Sequence, residues 1–455
     1  MLSNPIPSVT APAGIFKGFV ADECAQFLGI RYATSERYCA PIPYTYGSEE
    51  HDCNTPAPYP VQLCSTIELT LTGIRYENLP QEESCQYLSI TVPKDATPES
   101  RLPVMVWYYG GSYRNGGCDN PFYDRSPLAR ENKVIVVGIN YRLSLLGFVK
   151  NREGGFANNG LLDAIEGLRW VNANIAAFGG DPTNVTIFGE SAGGDLVRCI
   201  MLSEGTDDLY RRAIIQSDPI GTWENRGEME RKILDELNEL PLDAPVERLL
   251  EAQKAITSHV TEKGLAKHMI FAPHAGVYPL PAKEDEQKRL REVAPMHDLI
   301  IGTNARETAS YIGGNKLASA LDRNIFTRWI IELYLNKMTK AIFRDPTHNF
   351  ARLYADCGGK VHLYSYSWRK DQHVIGAGHI TELALLFGGK GIEGTLMALG
   401  LPESAFLEQG KPLRRLWAEF ARSGEIFTER IEGMIEFGEF TPYGKEEGQE
   451  RTTSN

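Results

Sequence analysis

The sequence predicts an α/β fold with a mostly parallel central sheet and helices on both of its faces. Two observations carry that expectation. Between Leu102 and Ser217, runs rich in β-branched and aromatic residues alternate with runs of helical periodicity, and such alternation builds strand–helix–strand units with parallel strands. Within this region Gly189-Glu190-Ser191-Ala192-Gly193 follows the β-branched run Val185-Thr186-Ile187 and precedes a helix-compatible stretch. A strand there must stop sharply, and flanking glycines remove the Cβ clashes of the turn while the serine hydroxyl projects from it.

Each element can be taken in order. From Gly14 to about Val92, short β-branched and aromatic runs broken by Pro and Gly predict an antiparallel opening to the sheet. Strands are expected at 102–109 and 133–139, a helix at 159–177, a strand at 184–189, a helix at 191–203 and a strand at 213–217. Residues 225–265 are highly charged, with Leu234, Leu237 and Leu240, then Leu249, Leu250 and Ala255, at helical spacing. That pattern suits an amphipathic cap and equally plain surface helices. Strands return at 298–301 and 361–366, and a helix follows at 380–387. Gly and Pro are spread through the chain and no repeat divides it, so we expect one domain over 1–455, a cap insertion at about 225–295 and a flexible tail at 445–455.

Composition excludes several classes of function. The formal net charge of −12 comes without a basic stripe, which argues against a nucleic-acid partner. No apolar run reaches the roughly 18 residues of a membrane span, and Met-Leu-Ser-Asn-Pro-Ile-Pro at the start has neither a basic nor an apolar leader segment. The expected compartment is cytoplasmic, with no membrane partner. Eight cysteines include no Cys-x-x-Cys pair, so no metal site is expected. Gly389-Lys390-Gly391-Ile392-Glu393-Gly394 matches a dinucleotide fingerprint but follows a helix-like run and opens no βαβ unit, and no cofactor is expected. Asn184-Val185-Thr186 is a glycosylation sequon that leads into a strand.

A serine hydroxyl becomes a nucleophile only when a base takes its proton and a carboxylate fixes that base. Upstream of the serine turn, Val104-Met105-Val106-Trp107-Tyr108-Tyr109 ends in Gly110-Gly111-Ser112, a second turn able to offer backbone N–H groups. Residues 83–93, 104–113, 139–148 and 158–194 resemble the type-B carboxylesterase family, relatives of the cholinesterases. The longest block holds Asn159-Gly160-Leu161-Leu162-Asp163, Leu168-Arg169-Trp170-Val171 and Phe178-Gly179-Gly180-Asp181-Pro182 before the serine turn. Similarity runs from about Gly14 to about Tyr443.

The resemblance implies the α/β-hydrolase fold and hydrolysis of a small-molecule carboxylic ester through an acyl-enzyme. It implies Ser191 as nucleophile, Glu307 in Gly302-Thr303-Asn304-Ala305-Arg306-Glu307 as acid, and His379 in Gly376-Ala377-Gly378-His379 as base. His373, in a charged stretch, reads as a surface residue. Gly111, Ser112 and Ala192 are the implied oxyanion donors. Two departures stand out, since Ser112 and Thr308 occupy positions where the family usually has glycine. Trp223 is placed like an acyl-pocket tryptophan and Glu190 like a carboxylate that favours the imidazolium. No Trp occurs between Ser65 and Ser84, so specialisation for choline esters is not expected. In secreted relatives the position of Cys85 closes a disulfide with an upstream cysteine; Cys53 and Cys64 are the candidates here, and free thiols are expected in a reducing compartment. A histidine base predicts a kcat/KM that rises through an apparent pKa of about 6 to 7. Alternatives are a hydrolase of amides, carbamates or thioesters, and a non-catalytic cholinesterase-like binding module. Nothing in the sequence indicates an oligomeric state.

Overall fold

Ile135–Ile139 and Arg212–Gln216 are buried at every position, and Leu102–Tyr108 at every position after Leu102. Runs of that kind belong in a sheet whose two faces are both covered. The computed structural model describes residues 7–438, apart from 65, 154, 224–225, 239, 261–268 and 313–326. The tail expected at 445–455 lies outside the described residues.

The runs form the middle of an eleven-stranded sheet. In chain order its strands are β1 (Phe19–Ala21), β2 (Cys24–Arg31), β3 (Tyr87–Pro93), β4 (Leu102–Tyr108), β5 (Ile135–Ile139), β6 (Gly180–Glu190), β7 (Arg212–Gln216), β8 (Asp298–Asn304), β9 (Val361–Tyr366), β10 (Arg430–Ile431) and β11 (Ile435–Gly438). Side by side they read β10-β11-β9-β8-β7-β6-β4-β5-β3-β2-β1. The stretch from β9 across to β5 is parallel throughout, and antiparallel strands finish both edges. The antiparallel opening expected before Val92 is therefore one edge of the main sheet, together with a small separate sheet in which Ser8–Ala11 pairs with Gly14–Lys17.

Two adjacent side chains define the covered faces. Trp107 meets Phe387 of the helix Thr381–Phe387 edge-on, with ring centroids 5.0 Å apart. Tyr108 points the other way and donates its hydroxyl to the Ala164 carbonyl of the helix Asn159–Asn174 at 3.1 Å. That reversal is the period-two geometry of a strand. Helices Ser126–Asn132 and Lys411–Ser423 share the first face, and Ala192–Leu202 and Asp345–Asp356 share the second.

The helix Asn159–Asn174 is locked to the chain leaving β5 by a buried ion pair. Arg142 Nε and Nη2 each donate to Asp163 at 2.7 Å, and the Arg142 amide donates to the same carboxylate at 3.0 Å. Such a fork is strongly directional, and it explains why Asp163 sits within the block that carries the family resemblance.

Residues 225–295 do several things. Gly227–Asn238 and Val246–His259 are amphipathic helices that bury Met229, Ile233 and Leu237, and Leu249, Gln253 and Ile256. Glu286–Val293 instead packs on the helix Ala192–Leu202, over the sheet. Cys85 is buried with a free thiol. Among the described residues, no helix is long and apolar enough to cross a membrane.

Candidate active site

One residue makes the turn between β6 and the helix Ala192–Leu202. Glu190 is still paired with Gln216 of β7, Ala192 is already helical, and Ser191 lies between them at φ 56°, ψ −125°. That backbone is strained for a residue with a side chain. Packing and the bond from the Ser191 amide to the Gln216 carbonyl, 2.9 Å, hold it. Gly193 is a steric requirement, because a Cβ there would stand 2.0 Å from the Tyr108 carbonyl oxygen. Its absence lets the start of the helix press against the end of β4.

Beyond β4 the chain turns through three successive positive φ values, Gly111 at 108°, Ser112 at 55° and Tyr113 at 57°. The Arg114 and Asn115 amides both donate to the Gly111 carbonyl, at 3.0 and 3.1 Å. Among the described residues, the Gly111 and Ser112 amides have no backbone acceptor, and the Ala192 amide, first in its helix, has no intrahelical one. The loop is tight against the serine turn, since a Cβ on Gly110 would lie 3.1 Å from the Ser191 Cβ.

The carboxylate and the imidazole come from loops after β8 and β9. His379 Nδ1 is 2.7 Å from Glu307 Oε2, and Glu307 Oε1 accepts the Asn304 amide at 2.6 Å. Main-chain bonds cross between the loops, His379 N to Glu307 O at 3.0 Å and Arg306 N to Ala377 O at 2.9 Å. The buried Arg306 guanidinium reinforces them by donating to the His373 and Val374 carbonyls at 3.2 and 3.1 Å. His373 thus contributes its backbone, and its ring is partly exposed. Thr308 has no left-handed φ, so its departure from glycine strains nothing. Its hydroxyl donates to the Leu335 carbonyl at 3.2 Å and ties the acid loop to the helix Arg328–Thr339.

The imidazole of His379 is flanked by the rings of Tyr311 and Phe343, with centroids 5.5 and 5.1 Å away. Phe343 belongs to a π-helical turn, Lys340–Arg344, a distortion that recurs at functional sites. His379 Nε2 is 3.3 Å from Glu190 Oε1 but has no aligned hydrogen-bond partner. Burial alone would depress this imidazole; the nearby Glu190 carboxylate, and then the hydrogen bond that Glu307 accepts from it, outweigh that and push His379 up to about 9. Burial also pushes Glu190 well above the usual carboxylate range, so the two groups titrate as a pair. The ordinary imidazole range of 6 to 7 expected from sequence is corrected upward by these carboxylates.

Ser191 opens onto two cavities that meet at Ser112, Ser191 and Tyr311. The first is lined by His379 and Glu190, by the polar residues Glu68, Arg114, Asn115 and Asn120, and by the apolar Leu71, Phe122, Tyr123 and Ile380. The second is walled by Met269, Ile312, Tyr334, Met338, Ile342 and Phe343. Tyr334, Met338, Ile342 and Phe343 of the second wall come from 328–344, which sequence reasoning left unread, and among the described residues of the 225–295 segment Met269 takes part. Trp223, expected at the acyl pocket, is not in the described lining of either cavity. Its ring lies against the Arg198 guanidinium at 5.1 Å, where a cation–π contact and core packing employ it. Among the described residues, no group of three or more His, Cys, Asp and Glu side chains is arranged to hold a metal.

The fold and much of the sequence are shared with known proteins. Residues 5–328 match the model of the carboxylesterase family. A Rhodococcus erythropolis protein named "Probable N-octanoylanthranilate hydrolase" is 32% identical, covering 92% of this chain and 93% of its own. The para-nitrobenzyl esterase of Bacillus subtilis is 31% identical over 93% of this chain and 91% of its own, and the liver carboxylesterase of Sus scrofa is 29% identical over 89% and 82%. Among solved structures, a thermophilic para-nitrobenzyl esterase superposes with a TM-score of 0.75 at 28% identity, covering 93% of this chain and 92% of that one. The Geobacillus stearothermophilus carboxylesterase gives 0.74 at 25% identity, over 92% and 91%. With its α/β-hydrolase sheet and a family match over most of its length, the chain belongs to the type-B carboxylesterase family and is a hydrolase of that family.

Proposed function

We propose that the chain hydrolyses small carboxylic esters through a triad of Ser191, His379 and Glu307. The observation that carries this reading is the state of His379. One ring nitrogen is held by Glu307 at 2.7 Å, and the other is without a hydrogen bond on the wall of the cavity that Ser191 also lines. Held in that way, Nε2 takes the Ser191 proton as Oγ attacks the ester carbonyl, and Glu307 steadies the imidazolium. The oxyanion of the tetrahedral intermediate is received by the Gly111, Ser112 and Ala192 amides. As the intermediate collapses, His379 returns the proton to the leaving oxygen and the alcohol departs, leaving an acyl-enzyme. Water, deprotonated by His379, then releases the carboxylate product and restores Ser191.

The direction of proton transfer divides the site. His379 must reach the leaving atom and lines only the first cavity, so the leaving group occupies that side and the acyl chain extends into the apolar second cavity. We further take the chain as one domain, with residues about 225–295 inserted beside the site and contributing Met269.

A fluorophosphonate probe tests the assignment, being expected to label the wild-type protein and not Ser191→Ala. Turnover of a 4-nitrophenyl ester should fall by about 10⁴-fold or more in Ser191→Ala or His379→Ala, and little further in the double variant, because triad members act as a unit. Labelling that survives in Ser191→Ala, or losses that add in full, would overturn it. A second reading, hydrolysis of an amide on the same triad, is favoured by the Rhodococcus relative, whose name gives an N-acylated anthranilate as its substrate. Rates on 4-nitrophenyl octanoate and on N-octanoylanthranilate, measured side by side, separate the two.

A further inference from the structure

We propose that Arg114 determines specificity by receiving a carboxylate carried on the leaving-group half of the substrate. The inference rests on the division of the site given above and concerns what the first cavity selects.

Among the described residues, the fully buried guanidinium groups are neutralised. Arg142 meets Asp163, Arg198 meets Asp195 and Asp218, Arg306 meets Glu332, and Arg414 meets Glu131. Arg114 differs from all of them. Among the described residues it forms no ion pair, its Nε is buried with no hydrogen-bond partner, and it lines the cavity that contains Ser191 and His379. The side chain is half-buried; partial desolvation of a guanidinium without an ion-pair partner is unfavourable and pulls its proton affinity down, with the nearby Glu68 acting in the opposite sense. A site that keeps such a group beside its nucleophile has left the counter-charge to the ligand.

The two carboxyl groups of the same cavity do not fill that role. Glu68 lies near enough to Arg114 for each to favour the other's charged form, but it forms no ion pair with it and accepts the Tyr76 hydroxyl instead. Glu190 faces His379. Arg114 is also held in position, since it directly follows the turn of Gly111, Ser112 and Tyr113, and its amide is bonded to the Gly111 carbonyl at 3.0 Å. A planar fork of donors so placed matches a carboxylate with two parallel bonds. The second cavity, walled by Met, Ile and aromatic side chains, suits an uncharged acyl chain. The substrate class is therefore an apolar acyl group joined to an alcohol, phenol or arylamine that bears a carboxylate.

The test uses the octanoate esters of 3-hydroxybenzoate and of 3-hydroxybenzamide with the wild-type chain, Arg114→Met and Arg114→Lys. The intrinsic reactivity of the two leaving groups cancels in the ratio of kcat/KM ratios between proteins. We expect the preference for the carboxylate ester to fall about tenfold or more in Arg114→Met, chiefly through KM, and to be kept in part by Arg114→Lys, as the loss of a charge-assisted bond requires. A ratio that stays within about threefold overturns the proposal. Binding of the free phenols to the wild-type protein gives a second measurement, independent of folding of the variants and of turnover. There 3-hydroxybenzoate should bind about tenfold or more tightly than 3-hydroxybenzamide, and equal affinity overturns the assignment. If neither ester is turned over, the ester-hydrolase reading fails, while the binding comparison still decides the role of Arg114.

Discussion

Ser112 holds a left-handed backbone, φ 55°, that glycine would adopt without cost. Replacing it relieves about 1–2 kcal/mol of local strain, while the extra freedom of glycine in the unfolded chain returns about 0.5–1 kcal/mol. Ser112→Gly should therefore leave the urea midpoint nearly unchanged or slightly raised. Activity should be kept or increased, because the donor in question is the amide and the side chain leaves the cavity where its two lobes meet. A loss in kcat of about 10²–10³, the usual cost of an oxyanion donor, would instead assign the hydroxymethyl group a supporting role. His379 gives a second prediction. Only the neutral imidazole accepts a proton, so kcat/KM should rise with pH through a value above the usual 6.5, towards about 9, and Glu190→Gln should bring that limb down. A limb that does not move would show that Glu190 is not its cause. Stability follows the same shift: a raised folded-state pKa stabilises fully below about 6.5 and is lost as pH climbs through about 9. The urea midpoint of the wild type should fall across that window more than that of Glu190→Gln.

The best-specified elements are those whose two ends carry chemistry. The β6 strand, the serine turn and the helix Ala192–Leu202 are legible because glycine at 189 and 193 and β-branched residues at 185–187 leave the chain one way to pass from strand to helix. The strand at 361–366 has the bounds expected for it, whereas β8 runs three residues past the 298–301 expected, to Asn304. Its final residues look polar in sequence, yet they are buried because Asn304 bonds the Gly378 carbonyl and the Glu307 and Glu382 carboxyl groups. Arg328–Thr339 was illegible for a different reason. Trp329, Ile330, Leu333 and Tyr334 are exposed, so the helix has no single apolar stripe to read, and Phe343 sits in a π turn that breaks the 3.6-residue period. The ion pair that anchors Asn159–Asn174 makes the prediction for this level. Arg142→Met should destabilise by about 3–5 kcal/mol, because it strands the Asp163 carboxylate in the core. Arg142→Met with Asp163→Leu should recover much of that loss, read as urea midpoints at neutral pH. Equal destabilisation by the single and double variants would mean that packing around Arg142, and not charge, carries the effect.

The site as an assembly depends on contacts that no local pattern records. Order along the chain and the turns after β4, β6, β8 and β9 were enough to nominate Ser191, Glu307 and His379, because a mostly parallel sheet gathers the carboxyl ends of its strands on one side. The walls of the cavities were not accessible in that way. Glu68, Arg114, Met269, Tyr334 and Phe343 are brought to Ser191 from distant parts of the chain, and none lies in a motif. Trp223 shows the converse, since a residue in a suggestive sequence position packs against Arg198. The contrast between a first cavity that carries charged and polar groups and a second walled by Met, Ile and aromatic side chains nevertheless predicts how activity responds to substrate length. In a series of 4-nitrophenyl esters with the leaving group fixed, each methylene added to the acyl chain is buried against Met338, Ile342 or Phe343 and contributes about 0.8 kcal/mol, or about fourfold in kcat/KM. The rise should continue until the space beside these side chains is filled and then level off or reverse. Met338→Trp, which narrows that wall, should move the break to a shorter chain. Lengthening the alcohol of an alkyl ester should give a flatter response, because that half meets Glu190, Asn115 and Arg114 as well as apolar side chains such as Leu71 and Phe122. Were the steep response to follow the alcohol and not the acyl group, the two halves of the substrate would lie the other way round, and His379 could not reach the leaving atom from where it stands.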